Sequence, residues 1–383
     1  MNPSGHRWGI TAGVCAGVIA VCYGFARYAY GLFVPEFREV FGLSATGIGV
    51  LGGVSTAGYT VGLLAAPALS RRSGRSTTVL AGACAATGLL GLAATELLGL
   101  FAVGLFIAGT GAGLVSPGVA ELIGRTVCGR AEDRAQTWAN TGTSLGLAVS
   151  AFTPVLAFGW QLTWLGFGLL ALVVTAAALV LLPRDVLASQ ETTPGVASLR
   201  RPGLVLLLFN SLLLGLTSAP YWNFSVDRLA EAGLPSGVSS WFWLTIGLAG
   251  PLGGIAGAVV ARYGLAATNL GTWTIWAATM GLLALPVPHP WVALIFAALF
   301  GTTFIALTGL CILWGARLYP EAPARGVTLS FLCLGAGQTL GSPLAGAIAD
   351  ASSLGVVFAL TAAAGLLSYH QVHPRLRPPK SRH

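Results

Sequence analysis

The strongest constraint on this chain is the series of long apolar runs that fills it. The first run, from about residue 9 to residue 33, already exceeds the ~20 residues that a helix needs to cross a bilayer. Hydrophobic residues make up 55% of the sequence and charged residues 8%, whereas soluble domains have about 25% charged residues. The pattern predicts an all-α integral membrane protein and excludes a soluble globular domain.

Polar breaks divide the sequence into twelve predicted transmembrane helices. The longest polar connection, residues 183–202, contains charged residues, Ser, Thr and Pro, and predicts a linker between two six-helix halves. The expected domains are an N-terminal half (1–182), a cytoplasmic linker (183–202), a C-terminal half (203–370) and a basic cytoplasmic tail (371–383). The predicted spans are 9–33, 46–69, 77–95, 97–122, 134–157, 160–182, 203–226, 237–260, 266–287, 291–316, 325–348 and 353–370.

Basic residues lie unevenly on the two sides of these spans. With both termini cytoplasmic, seventeen of the twenty Lys and Arg residues fall on the cytoplasmic side, as the positive-inside rule requires. Only Arg38 and Arg228 fall outside, and Arg27 lies within the membrane. We therefore predict a multi-pass protein of the cell inner (cytoplasmic) membrane with both termini in the cytoplasm.

The two predicted halves share one sequence pattern at a nearly constant offset. A shift of 191 residues (215 − 24) aligns Gly24 with Gly215, Tyr30 with Tyr221, Arg134 with Arg325 and Gly146 with Gly337. Two six-helix repeats in the same orientation are expected for a transporter whose pseudo-symmetric halves rock about a central site.

Arg27 is the only charge well inside a predicted span. An ionisable side chain at that depth costs ~3 kcal/mol or more. At helical spacing Tyr23 and Tyr30 share its face, and Ser218 is its repeat equivalent. The acidic residues lie at or beyond the span ends, so no internal carboxylate partner is evident. Two roles stay open: a structural clamp, or a guanidinium that binds an anionic substrate bidentately.

Other polar and aromatic side chains at similar depth complete the candidate substrate-binding site. The alternative is that they only bond between helices or anchor the helices at the membrane interface. The seventh-span cluster is favoured because its repeat equivalents, residues 30–32, lie one turn beyond Arg27. With Arg27, Tyr23 and Tyr30, the candidates are Asn140, Tyr221, Trp222, Asn223 and Gln338.

Two motifs suggest a family. The first span has the run Gly24-Phe25-Ala26-Arg27-Tyr28-Ala29-Tyr30, followed by Gly42-Leu43-Ser44, and the eleventh has Gly337-Gln338 and a Gly/Ser/Pro-rich run ending at Asp350. The chain resembles the major facilitator superfamily over essentially its whole length, and its bacterial YbfB/YjiJ-like branch in particular. The resemblance implies the fold of that superfamily and secondary transport, without naming a substrate.

The loop between the second and third spans departs from the family pattern Gly-x-Leu-Ala-Asp-Arg-x-Gly-Arg. Arg71 stands at the Asp position, and Ala261 stands there in the second half. The fourth span has Leu105 where many relatives have an Arg linked to proton coupling. The resemblance implies a weakened or differently built gate and gives no support to proton antiport. The gating-loop residues are Arg71, Arg72, Gly74, Arg75, Arg262 and Gly264.

Motifs for other functions are missing from the sequence. The six cysteines form no C-x-x-C pair, and there is no Gly-x-Ser-x-Gly motif or P-loop. The net charge of +8 falls in short loops rather than on a recognition element. We predict no enzyme activity, no cofactor, no metal and no nucleic-acid partner.

The leading hypothesis is a monomeric secondary active transporter in the lipid bilayer. It would move a small organic solute, an anion held by Arg27, by alternating access, with or without a coupling ion. Two alternatives remain: a drug or natural-product efflux pump with an aromatic pocket, and a non-transporting membrane sensor.

Overall fold

A computed structural model of the chain describes residues 3–127, 130–153, 159–184, 201–287 and 289–368. This part of the chain is helical, with no strands, and forms twelve helices. Two of them are composite. Helix α1 joins Pro3–Ile19 (α), Ala20–Tyr28 (π), Ala29–Phe33 (3₁₀) and Val34–Phe41 (α). Helix α8 joins Gly237–Ala249, the 3₁₀ segment Gly250–Ile255, and Ala256–Tyr263.

The other ten helices are continuous. They are α2 (Ala45–Arg72), α3 (Gly74–Ala93), α4 (Leu98–Thr126), α5 (Arg130–Ala151), α6 (Gly159–Leu181), α7 (Leu204–Glu231), α9 (Leu265–Ala284), α10 (Pro290–Leu318), α11 (Pro323–Ala351) and α12 (Leu354–Leu366).

The helices confirm the predicted all-α membrane architecture. Within the described residues, nine are long and apolar enough to cross a membrane by length and composition. The other three are α5, which begins with Glu132 and Asp133, α9, which is rich in Thr, and α12, which has 13 residues. Residues 185–200 of the predicted linker, the last two residues of the predicted C-terminal half (369–370) and the predicted tail (371–383) lie outside the described residues, so the domain boundaries stay predictions.

Several predicted helix ends were wrong. The first span was expected to end at residue 33, but α1 continues to Phe41 through a new α-helical segment with Pro35 in its first turn, where proline is tolerated. The fifth span was expected to reach residue 157, but α5 ends at Ala151. Hydropathy alone could not locate these ends. Charged residues at 36, 38 and 39 ended the predicted first span before the helix ends, whereas residues 152–157 stay apolar and carried the predicted fifth span past the end of α5.

Repeat-equivalent glycines form the same helix crossing in each half. A Cβ on Gly24 of α1 would lie 2.3 Å from the backbone of Gly146 in α5. A Cβ on Gly215 of α7 would lie 2.8 Å from the Cα of Gly337 in α11. Small residues allow backbones to approach this closely in membrane helices. The sequence offset therefore corresponds to equivalent packing.

A second crossing repeats in the same way. A Cβ on Gly109 of α4 would lie 2.0 Å from the carbonyl oxygen of Ser55 in α2. A Cβ on Gly301 of α10 would lie 2.4 Å from the carbonyl oxygen of Ile246 in α8. Ser55 and Ile246, which differ by 191 in number, are thus structural equivalents.

The halves meet through α2 with α11, α5 with α8, and α1 with α7. At the end of the bundle where α1 finishes, the Asp350 carboxylate accepts hydrogen bonds from the backbone N–H groups of Ala45 and Thr46, at 2.9 and 2.8 Å. A carboxylate is stabilised at a helix N-terminus by these donors and by the helix dipole. Arg38 pairs with Asp227 at 2.5 Å. We call this end of the bundle the Arg38 end.

Candidate functional site

Helix α1 departs from regular α-helical geometry around Arg27, within its π-helical segment. In an α-helix, residues five apart point about 140° away from each other. In a π-helix, whose hydrogen bonds run from i to i+5, such residues share a face. Accordingly the rings of Tyr23 and Tyr28 stack with their centroids 6.0 Å apart. π-helical segments inside helices are frequent at functional sites.

Arg27 is 7% exposed and is surrounded by tyrosine rings. Its Cζ lies 3.5 Å from the ring centroid of Tyr59, 5.3 Å from that of Tyr28 and 5.6 Å from that of Tyr23. A cation–π contact of a desolvated guanidinium contributes ~2 kcal/mol or more. The rings stabilise the cation without neutralising it.

Gln338 is the hydrogen-bond partner of Arg27. The Arg27 Nη2 donates to Gln338 Oε1 at 2.5 Å, and Gln338 Nε2 donates to Ser218 Oγ at 3.0 Å. Because Ser218 is the repeat equivalent of Arg27, one side chain of α11 joins the two equivalent positions. None of the ion pairs in the described ranges includes Arg27. The guanidinium is therefore buried without a carboxylate partner among these residues.

A narrow cavity of about 20 Å³, room for about one water molecule, lies beside Arg27, between α1, α2, α7 and α11. We call it the polar chamber. Two polar atoms of its lining residues, Ser55 Oγ and Trp222 Nε1, are buried and have no hydrogen-bond partner among the described residues. Buried polar atoms in native proteins are nearly always hydrogen-bonded, so these atoms are available to a ligand. The lining includes Arg27, Tyr28, Ser55, Trp222, Asn223 and Gln338.

The structure brings together five of the eight predicted binding residues: Arg27, Tyr30, Trp222, Asn223 and Gln338 all line the polar chamber. Tyr23 contacts Arg27, and its hydroxyl is 3.2 Å from Ser116 Oγ. Tyr221 instead stacks on Phe300 at 3.5 Å inside the C-terminal half. Asn140 is exposed on α5 and does not line the chamber. The binding role of all eight stays a prediction.

Sequence reasoning missed Tyr28, Tyr59, Ser55 and Thr56. The first two face the guanidinium, and Tyr28, Ser55 and Thr56 line the chamber. Tyr28 belongs to the quoted first-span motif, but α-helical spacing selected Tyr23 and Tyr30 because the π-helical register was not considered. Ser55, Thr56 and Tyr59 of α2 could not be recognised as site residues from the sequence, since an isolated Ser, Thr or Tyr in an apolar helix is common.

The predicted gating loop between α2 and α3 is held by its own half. Arg75 donates hydrogen bonds to the carbonyls of Leu179 and Leu182 in and just after α6. Arg125 of α4 donates to the Arg71 carbonyl at 2.8 Å. A Cβ on Gly74 would lie 2.5 Å from the backbone nitrogen of Leu122.

The equivalent loop of the second half, between α8 and α9, has a different backbone conformation at its glycine. Gly264 has a φ of +84°, which side chains other than glycine rarely adopt. Arg262 lies over the ring of Tyr263, and Arg71 and Arg72 are exposed. A gating role for these loops stays a prediction.

Comparison with known proteins gives a family and a fold. A family model described as "Uncharacterised MFS-type transporter YbfB" matches residues 19–372. The chain superposes on the nucleoside transporter NupG with a TM-score of 0.77 and 11% identity, covering 97% of this chain and 98% of that one. It superposes on the xylose transporter XylE from E. coli with a TM-score of 0.77 and 13% identity, covering 98% and 100%.

A third solved structure extends the likeness. A bacterial homolog of the human lysosomal transporter Spinster gives a TM-score of 0.72 with 14% identity, covering 99% of this chain and 100% of that chain. At such identities the likeness shows the fold alone, and it confirms the helical fold of two halves that the resemblance implied. No curated protein matches the chain by sequence.

Proposed function

The chain belongs to the YbfB-type family of major facilitator transporters, and from that premise we propose that it transports a small organic anion bound by Arg27. Membership makes it a multi-pass membrane transporter and not an enzyme, and speaks against the sensor alternative. One observation gives the strongest support for an anionic substrate. Arg27 is buried at the wall of a cavity between the two halves, with no ion pair among the described residues.

The electrostatics of Arg27 favour a ligand with a negative charge. A buried charge without a counter-ion is strongly destabilising, and the tyrosine rings together with one neutral amide offset only part of that cost. Guanidinium presents five N–H donors in a planar fork that matches a carboxylate. An anion in the polar chamber would complete the ion pair. Ser55 Oγ and Trp222 Nε1, which have no partner among the described residues, are further donors for it.

The position of the chamber between the halves suits alternating access. The contacts at the Arg38 end, made by Asp350 and by the Arg38–Asp227 pair, join the two halves and would have to open during transport. In the proposed orientation, with both termini cytoplasmic in the inner membrane, the Arg38 end faces the exterior. We also propose that the chain works as a monomer. No Asp, Glu or His lines the polar chamber as described, so no carboxylate or imidazole in it suggests proton coupling.

Transport by purified protein in proteoliposomes tests the role of Arg27. A thermal-shift screen of small carboxylates selects the substrate, because a ligand of the folded state raises its stability. We expect Arg27→Ala to lower the affinity about 100-fold, since two charge-assisted hydrogen bonds are lost. Arg27→Lys should lower it about tenfold, since the planar fork is lost while the charge remains.

Ser218→Ala is the matched control at the repeat-equivalent position. Its affinity should stay within about threefold, because one neutral hydrogen bond to Gln338 is removed. Undiminished transport by correctly folded Arg27→Ala protein would contradict the proposal.

A second candidate is export of hydrophobic drugs or natural products. The stacked rings of Tyr28 and Trp222, 4.1 Å apart, and Phe304 at 5.4 Å from Trp222 favour it, because aromatic faces bind neutral and cationic rings. Growth protection against a panel of toxic compounds separates the two. Protection against neutral or cationic compounds that survives Arg27→Ala would favour export and count against the anion.

A further inference from the structure

A second cavity lies on the other side of the Tyr28–Trp222 pair. It is also narrow, has a volume of about 30 Å³, and lies between α1, α5, α7, α8 and α10. Its walls are mainly apolar, with Leu147, Ile246 and Phe304, and with Thr143 and Ser144 on the α5 side. We call it the apolar chamber. Tyr28 and Trp222 line both chambers, and their stacked rings, with centroids 4.1 Å apart, form a wall common to the two.

Parts of the walls of the two chambers are repeat equivalents of one another. Ser55, Thr56 and Gln338 line the polar chamber. Shifting by 191 gives Ile246, Gly247 and Leu147 (55 + 191, 56 + 191 and 338 − 191), and all three line the apolar chamber. The matching glycine crossings at Ser55 and Ile246 confirm the alignment in three dimensions. The repeat therefore places part of one chamber's wall on part of the other's, while the equivalents of Arg27, Tyr30 and Asn223 do not line the apolar chamber.

The polarity of the chambers differs at each of these equivalent positions. Gln338 corresponds to Leu147, Ser55 to Ile246, and Thr56 to Gly247. The guanidinium of Arg27 has only the Ser218 hydroxyl as its equivalent, and that hydroxyl is bonded to Gln338. At these positions the chambers differ in the polarity of their side chains. One ligand in contact with both would have a charged end and an apolar end.

We propose that the two chambers bind the two ends of one substrate, a small amphipathic monocarboxylate. Its carboxylate pairs with Arg27, and its aromatic or branched-aliphatic body occupies the apolar chamber, which has to widen as the halves move apart because its volume here is about 30 Å³. This inference rests on the proposed function, which assigns the anion to Arg27. The rings of Tyr28 and Trp222 pack against the middle of the molecule, and Leu147, Ile246 and Phe304 determine specificity. Each methylene buried there strengthens binding about fourfold.

Four acids and one alcohol test the inference on purified full-length protein. The probes are 3-phenylpropionate, 4-methylpentanoate, propionate, malonate and the neutral 3-phenyl-1-propanol, with binding measured by ligand-induced thermal stabilisation and uptake measured in proteoliposomes. We expect 3-phenylpropionate and 4-methylpentanoate to bind about 30-fold more tightly than propionate or malonate, because only they bury apolar surface. Arg27→Ala should weaken all four acids and leave the alcohol unchanged.

Leu147→Gln places the side chain of the polar chamber at its equivalent position in the apolar chamber. It should weaken 3-phenylpropionate about tenfold while propionate changes less than about threefold, because only the larger acid reaches the apolar chamber. Ile246→Ser copies Ser55 and makes the same prediction, which keeps the test decisive if Leu147→Gln does not fold.

The failures of the two proposals are distinguishable. Equal affinity for large and small acids, equal weakening of both by the apolar-chamber variants, or saturable binding of malonate alone up to about 10 mM overturns the amphipathic substrate. The Arg27 function stands in those cases if Arg27→Ala still loses the acids. Acid binding that is unchanged in Arg27→Ala, or no binding of any of the four acids, overturns both.

Discussion

Helices α1 and α7 are repeat equivalents, yet they differ just where they face the chambers. Both make a glycine crossing with an equivalent partner, Gly24 with Gly146 and Gly215 with Gly337. Helix α7 is one continuous α-helix, whereas α1 changes from α to π to 3₁₀ geometry around Arg27. The comparison indicates that the packing is common to the repeats, while the chemistry has diverged on the surfaces that face the cavities.

The two equivalent positions also belong to one network. Gln338 accepts from Arg27 and donates to Ser218, so the charged and neutral positions share a partner. Its own equivalent, Leu147, offers no such bond. The asymmetry therefore involves the first and fifth helices of each half together, rather than a single substituted residue.

The largest expected effect concerns the glycine crossings, which the two repeats share. Gly24→Ala and Gly215→Ala should each lower the free energy of unfolding by about 3 kcal/mol, because the new Cβ meets backbone atoms that cannot move aside. Thermal unfolding in detergent measures the change. Gly13→Ala is the matched control, since a Cβ there meets nothing within 4 Å. Destabilisation by only one of the two variants would show that the crossings are not equivalent.

A carboxylate at position 338 tests the feature that the repeats do not share, the buried charge of Arg27. Gln338→Glu would give Arg27 an internal counter-ion at hydrogen-bond distance. We expect the affinity for anionic substrate to fall about 100-fold while thermal stability is unchanged or higher, because the charge is already paired.

Leu147→Glu is the control at the equivalent position in the other half. It should destabilise the protein by about 3 kcal/mol, because the new carboxylate is buried in an apolar wall without a cation. If Gln338→Glu retains full anion affinity, Arg27 does not bind the anion.

The smallest effect concerns the Arg38 end, where the equivalent carboxylates Asp227 and Glu36 differ. Asp227 pairs with Arg38 of the other half, whereas the buried Glu36 Oε2 has no partner among the described residues. Asp227→Asn should lower the free energy of unfolding by about 0.5–1 kcal/mol, as expected for a partly exposed ion pair.

Glu36→Gln serves as its matched variant and should change stability by less than about 0.5 kcal/mol. Chemical denaturation of the two variants side by side measures the difference. A larger loss in Glu36→Gln than in Asp227→Asn would show that Glu36 has a stabilising partner.

Particular residues show how far the sequence led toward the site. Arg27 was found because a charge in an apolar span stands out, and Gln338, Trp222 and Asn223 because they are polar or aromatic at similar depth. Asn140 was placed by depth alone, and the rotation of α5 about its axis leaves it exposed. Depth along a helix follows from counting residues, but the face a residue occupies depends on how neighbouring helices pack.

By itself the sequence determined the membrane class, the twelve helices and the repeat offset. These properties follow from local hydropathy and from glycine positions, which a single chain displays without its contacts. Only the tertiary structure decided that Tyr28 and Tyr59 face Arg27, that Gln338 joins it to Ser218, and that one ring pair lines two chambers. The reason is physical. The π-helical register rotates the side chains of α1, and packing between helices that are distant in sequence selects which of them meet.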